Sequence, residues 1–438
     1  MFKRSKNVLI IIILIISNKT FGLSSSSYLI SNTATNLLDY EVASKGFLTL
    51  SEELNEGDLH NKLLTLVNVN LISEAQEVAK SILKLDRYNQ EAWVVYLTNA
   101  KIKKNYKIFI QYKKLHKDRE TELIDFIFFS QNGDISENRY ISESILEIIK
   151  ASISENQNQN NYKFLLFYLS IASIIDPDFY ETYFYLGKIY ESIKNFSKAE
   201  DYYKKIITDH RLYLSSQKNI ALNKSKQGLF NEGEKILKDL IDTYQGNTDL
   251  LIALADLYRI EKKYDKAIQY YTRLINNKNL YKDNWRIFYF RGICYERINS
   301  WELAEKDFLY SLELNPDSPQ VLNYLAYGWL EKNIKIELAL NMLKKAFEFN
   351  PNSYYILDSL AWAYYKNNEL LIASQYMEKV LIMAPGEAIS LDHLADIYFS
   401  LNRKREAVFF WKQALDLARP EDKIIEELKK KIAKFYEQ

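Results

Sequence analysis

Four histidines, one cysteine and many scattered carboxylates are the side chains in these 438 residues that could bind a metal or move a proton. His60, His116, His210 and His393 stand far apart, and none has a second histidine one helical turn away, the spacing that aims two ligands from one face. Cys294 is alone, so neither an internal disulfide nor a thiolate metal site is open to it, and in a helix it reads as a small apolar residue. Adjacent carboxylates such as Glu426 and Glu427 read as a solvated helix face rather than an acid/base pair. The chain has no glycine-rich phosphate loop, no nucleophile-elbow serine and no His-Glu-x-x-His zinc motif. The expectation is therefore a chain without catalytic residues, metal or cofactor, and not an enzyme.

Elements that carry no chemistry must be built for something else, and composition narrows what. Lys+Arg is 58 against Asp+Glu 57, a formal net charge of +1, which leaves no basic excess for holding nucleic acid. Hydrophobic residues make up 47% and charged residues 26%, enough to bury a core. Glycine occurs only 11 times and proline 6 times, against usual shares of about 7% and 5%. So few turn-formers argue against a hairpin-rich fold. The 34 tyrosines and 22 phenylalanines call for many half-buried aromatic slots.

A ladder supplies those slots. A large residue, a small one and then an aromatic three further on are followed by an alanine about nine residues later. The rungs are Leu186-Gly187 with Tyr190 and Ala199, Leu254-Ala255 with Tyr258 and Ala267, and Gly292 with Tyr295 and Ala304. They continue as Leu325-Ala326 with Trp329 and Ala339, Leu360-Ala361 with Tyr364 and Ala373, and Leu394-Ala395 with Tyr398 and Ala407. A weaker rung is Ile220-Ala221 with Gly233. From Tyr258 to Tyr398 the aromatics step by 37, 34, 35 and 34 residues, and Pro316, Pro351 and Pro385 fall between rungs. Large, small and aromatic residues at i, i+1 and i+4 share one side of a first helix. The small residue admits a second helix closely, and proline stops that helix.

This pattern resembles the tetratricopeptide repeat, whose period is about 34 residues. The resemblance covers residues 180–420 as seven units and implies an all-α, right-handed superhelical solenoid of antiparallel helix pairs. The strings Arg291–Arg297, Asn323–Trp329, Asp358–Trp362 and Asp392–Asp396 are similar to exported tetratricopeptide proteins common in alphaproteobacteria. Upstream, Asp39–Ala43 with Phe47, and Glu74-Ala75 with Ala79 and Ile82, read as second helices of degenerate repeats over 27–153. Trp93 falls in the next first-helix slot. Residues 154–179 read as a polar linker loop followed by the second helix of a degenerate repeat. Glu421–Gln438 reads as a capping helix with Ile424, Ile425, Leu428, Ile432 and Phe435 on one side.

Met1–Gly22 reads as a signal peptide: Lys3, Arg4 and Lys6, then nine apolar residues from Val8 to Ile16, then Thr20-Phe21-Gly22. The apolar run is shorter than the roughly 20 residues that span a bilayer. A periplasmic protein is expected, with an uncleaved inner-membrane anchor as the rival.

In the resembled fold, first helices line the concave groove. The positions this implies are Gln320, Asn323, Tyr327 and Leu330, then Tyr355, Asp358, Trp362 and Tyr365, then Ile389, Asp392, Asp396 and Phe399, with Tyr324 and His393 near the edge. Tetratricopeptide co-chaperones clamp acidic tails with lysines and asparagines here. This chain offers Asn323 alone and no lysine, so a partner segment with apolar and basic side chains fits better. Trp362, Asp358 and Asp396 form the expected centre. That the rings merely pack repeat against repeat stays open at this point. The expected role is a protein-binding scaffold or adaptor of the cell envelope. The alternative is an accessory of secretion or polysaccharide export that holds the exported polymer.

Overall fold

The computed structural model describes residues 22–50, 54–117, 122–155, 160–276 and 284–436. Among these the chain is helical, without a strand, and its one β-bridge joins Phe129 to Ile135 across the tight turn at Gly133. The expected signal segment, up to Phe21, lies outside the described residues. Two compact units divide the chain, 1–236 and 237–438.

The first unit carries α1 (Gly22–Asn36), α2 (Tyr40–Thr49), α3 (Glu56–Asn68), α4 (Ile72–Leu85), α5 (Gln90–Ile102) and α6 (Lys107–Leu115). Then follow α7 (Glu122–Phe128), α8 (Asn138–Glu155), α9 (Asn160–Ile175), α10 (Tyr180–Ser192), α11 (Phe196–Tyr203) and α12 (Tyr213–Lys226). The boundary between units falls within α13 (Phe230–Thr243). The second unit continues with α14 (Thr248–Ile260), α15 (Tyr264–Asn276), α16 (Trp285–Arg297), α17 (Trp301–Leu314), α18 (Pro319–Glu331) and α19 (Ile336–Phe349). It ends with α20 (Tyr354–Lys366), α21 (Leu370–Met383), α22 (Ala388–Ser400), α23 (Lys404–Leu417) and α24 (Ile425–Tyr436).

The ladder aromatics do more than pack. In α14, α16, α18, α20 and α22 the carbonyl of the rung aromatic closes the helix end. Lys263 N–H donates to Tyr258 O (2.8 Å), Ser300 to Tyr295 (2.8 Å), Ile334 to Trp329 (3.0 Å), Glu369 to Tyr364 (2.8 Å) and Arg403 to Tyr398 (2.9 Å). This six-residue closure requires a left-handed residue just before the donor. That residue is Lys262, Asn299, Asn333, Asn368 or Asn402, with φ between 52° and 64°. Asparagine tolerates this region better than most residues, so the chain turns with few glycines. The second helices stop as proline dictates: Asn315, Asn350 and Ala384 leave the helical region (φ −143°, −144° and −143°) before Pro316, Pro351 and Pro385.

Close approach at the small position is visible at Gly187 and Gly292. An added Cβ would sit 2.5 Å from Tyr203 in the first case and 2.7 Å from Phe308 in the second. Gly328, which the ladder does not mark, is tighter, because a Cβ there would sit 2.0 Å from the Trp301 indole.

The first unit departs from simple nearest-neighbour stacking. The segments expected as second helices are α2 and α4, and each follows a left-handed residue, Leu38 (φ 60°) and Asn70 (φ 61°). Helix α9, however, packs on α3 and α5 as well as on its chain neighbours α8 and α10. Its Ser170 hydroxyl donates to Asn68 of α3 (3.0 Å), and Lys163 reaches Asn36 of α1 (2.8 Å). Leu165, Leu166, Phe167, Leu169, Ile171, Ala172 and Ile175 are all buried. A helix apolar on every side must be covered on every side, and a linear stack covers only part of it.

Candidate functional site

The candidate groove residues sit on α18, α20 and α22, one helix per repeat, and two clusters gather most of them. The first forms around Trp362 of α20. Its indole N–H donates to Glu331 Oε1 (3.0 Å), and its ring stacks on His393 (centroids 4.0 Å, 15° between planes) and on Tyr365 (4.7 Å, 20°). His393 Nδ1 in turn lies 3.1 Å from Asp358 Oδ2. Tyr327 approaches His393 at 6.4 Å. Trp362 and His393 are each only 6% exposed, and Asp358 is buried as well.

Burial alone would lower the His393 pKa, but the charge and hydrogen bond of Asp358, with Asp392 and Glu331 adding, raise it above its ordinary 6.5. The phenol of Tyr327 is pushed up by burial first, then by Glu331, Asp358 and Asp392. A carboxylate–imidazole pair can relay protons. Here the imidazole is shut from solvent and stacked under an indole, so the pair acts as an internal strut between α20 and α22.

The second cluster is built by α22, α23 and α24. Lys431 of the terminal helix pairs with Asp392 Oδ1 (2.7 Å) and Asp396 Oδ2 (2.8 Å), and Glu427 lies 3.4 Å from it. Trp411 N–H donates to the other oxygen of Asp396 (2.9 Å), and Phe399 packs on the Trp411 ring (5.3 Å). Burial opposes the Lys431 charge, but Asp396 and Asp392 together raise its pKa. Asp392 is pushed up, mainly by burial and by its neighbour Asp396, against the pull of Lys431. Two of the three expected aspartates thus hold a cation supplied by the chain itself. Sequence reasoning missed that contact, although Lys431 is one turn beyond the buried Leu428 and so on the inward side.

Among the described residues, no hydrogen bond or ring contact joins Asn323 or Tyr355 to either cluster. Asn323 is buried with its Oδ1 lacking a partner among those residues. Tyr355 is 43% exposed and touches Tyr354 edge-on (5.9 Å), and Ile389 is 38% exposed. Across both clusters the carboxylates Glu331, Asp358, Asp392 and Asp396 face Lys431, His393 and Lys366, the last lying over the Trp362 ring at 5.0 Å. Elsewhere Cys294 is buried, which pushes its thiol up to about 12. Among the described residues no group of three histidine, cysteine or acidic side chains could hold a metal ion.

Comparison with known proteins finds a known repeat in three segments. Two family models described as tetratricopeptide repeat match residues 250–279, and 180–208 with 388–420. The chain contains tetratricopeptide repeats. A repeat-containing protein of Pseudomonas aeruginosa is 28% identical over 116 residues, covering 26% of this chain and 20% of the relative. One from Methanocaldococcus jannaschii is 24% identical over 289 residues, covering 66% and 41%. The chain therefore spans less than half the length of these two curated relatives. Among solved structures, the APC/C hetero-tetramer Cut9–Hcn1 aligns over 92% of this chain and 83% of its own at 16% identity, with a TM-score of 0.47.

Proposed function

We propose that the protein is a non-catalytic scaffold or adaptor of the cell envelope that holds partner segments against α18, α20 and α22. The supporting observation is the graded surface of these helices. Tyr355 and Ile389 stand out in solvent, Tyr327, Tyr365 and Phe399 are half-buried, and Asp358, Trp362 and Asp392 form a floor fixed by internal contacts. Fixed aromatic floors with exposed apolar edges suit an extended or helical peptide, and the excess of carboxylates favours basic side chains in it. Asn323 and Asp396 complete the set of contact residues.

On this reading residues 180–420 work as seven repeats, 27–153 as degenerate ones, and 421–438 as the cap. The segment Met1–Gly22 directs export to the periplasm or anchors the chain at the inner membrane. Among the described residues no helix is long and apolar enough to cross a membrane. Holding an exported polysaccharide is less favoured, since sugar platforms need open aromatic faces and Trp362 is 6% exposed.

Because Trp362, Asp358 and Asp396 are tied into internal contacts, the test uses exposed positions. Whole-cell crosslinking and pull-down would compare wild type with Tyr355→Ser/Ile389→Ser, whose circular dichroism should be unchanged. An envelope protein captured by wild type and lost from the folded variant supports the groove. Identical partners for both would overturn it.

A further inference from the structure

A cleft of about 580 Å³ lies within the first unit, between α2, α3, α9, α10 and α11. Three lysines line it, Lys45, Lys198 and Lys205, against one acid, Glu41. Glu41 is paired with Lys198, whose hydrogen bond and charge hold its carboxyl below the usual range. The charge of Lys45 also lowers Glu41 and that of Asp201 acts on Lys205, but among the described residues neither lysine is in direct ion-pair contact with a carboxylate.

Lys205 instead sits 4.9 Å over the rings of both Tyr183 and Tyr202. Partial burial first, then the charge of Lys198, depress its pKa, against the opposing charge of Asp201. The cleft floor is already closed: Asn68 takes the Ser170 hydroxyl and donates to the Leu64 carbonyl (2.8 Å). Apart from the Asn70 amide the unused capacity is thus cationic, and the wall beside it, Ile174 and Pro177, is apolar. Natural small-molecule sites of about 300–1,000 Å³ combine an apolar lining with a few fixed polar groups in this way.

We propose that this cleft binds a small organic anion, a carboxylate or phosphate on a compact apolar body. Lys45 and Lys205 hold the charged group, and Ile174 and Pro177 hold the body. This site is separate from the peptide groove and does not depend on it. An effector bound here would occupy the face where α9 ties α3 to α10.

The test is isothermal titration of the full chain at constant ionic strength with phenyl phosphate, citrate and neutral benzyl alcohol. At least one anion should bind saturably, one per chain, with benzyl alcohol at least tenfold weaker. Lys45→Gln/Lys205→Gln should weaken the anion at least tenfold, each single variant by less, and Lys429→Gln/Lys434→Gln should leave it unchanged. Both cleft lysines are exposed, so the double variant should keep the wild-type circular dichroism, and the single variants carry the comparison if it does not. Binding of phenyl phosphate alone or citrate alone supports the site and fixes the anion class. Absence of saturable binding, equal affinity in the cleft variants, or equal binding of benzyl alcohol would overturn it.

Discussion

Replacing Lys431 by methionine keeps the aliphatic stem and removes only the ammonium group that bridges Asp392 and Asp396. In the folded chain that group lies 2.7 and 2.8 Å from the two carboxylates, with side-chain exposures of 18% for Lys431, 9% for Asp392 and 18% for Asp396. Breaking a fully buried pair from one side costs about 3–5 kcal/mol, because the abandoned charge stays desolvated. Partial solvent access at this site reduces that to about 2–3 kcal/mol. For a unit of 150–250 residues each kcal/mol moves the melting temperature by about 2–4 °C, so a fall of about 4–12 °C is expected.

Tryptophan fluorescence suits the assay. Trp285, Trp301, Trp329, Trp362 and Trp411 lie in the second unit, and Trp93 alone in the first. Trp411 also bonds directly to Asp396. Adding Asp392→Asn and Asp396→Asn to the methionine variant removes the stranded charges and should restore at least half of the loss. A shift below about 1 °C, or no recovery in the combined variant, would refute the view that α24 is latched through its lysine.

Three further outcomes follow from the geometry. Gly328→Ala should destabilise the second unit by about 1–3 kcal/mol in urea titration, as overpacking does, and Trp301→Leu in the same chain should relieve it. Lys262→Gly should instead stabilise by about 0.5–1 kcal/mol, because a lysine held at φ 58° carries left-handed strain that glycine lacks. The Asp358–His393 pair contributes fully below pH 6.5, the ordinary histidine value, since the folded pKa is raised. Its contribution is lost as pH climbs through that folded pKa. Melting temperatures should therefore drift down from pH 6 to 8 in wild type, and less so in His393→Gln.

The periodic rungs were legible because they are local: large, small and aromatic residues within one turn, and an alanine about nine residues later, are properties of a single helix pair. The placing of the candidate residues on α18, α20 and α22 was legible for the same reason, since they are offsets from the small residue. What those side chains touch was not legible. Trp362 meets His393 and Glu331 of the two flanking first helices, and Asp392 meets Lys431 thirty-nine residues on. Such partners depend on the rotation between neighbouring pairs, which no spacing within one pair encodes.

By itself the sequence determined the helical class, the ends of three second helices before Pro316, Pro351 and Pro385, and the lack of catalytic motifs, since periodicity, prolines and residue types act within a few turns of chain. Tertiary structure alone decided that α9 ties α3 and α5 into the first unit, that Lys431 of α24 pairs with Asp392 and Asp396 of α22, and that three lysines converge on one cleft. Each of these joins residues separated by tens to more than a hundred positions, and only packing in space, where every apolar side must find cover and every buried charge a partner, selects among the pairings a chain could make.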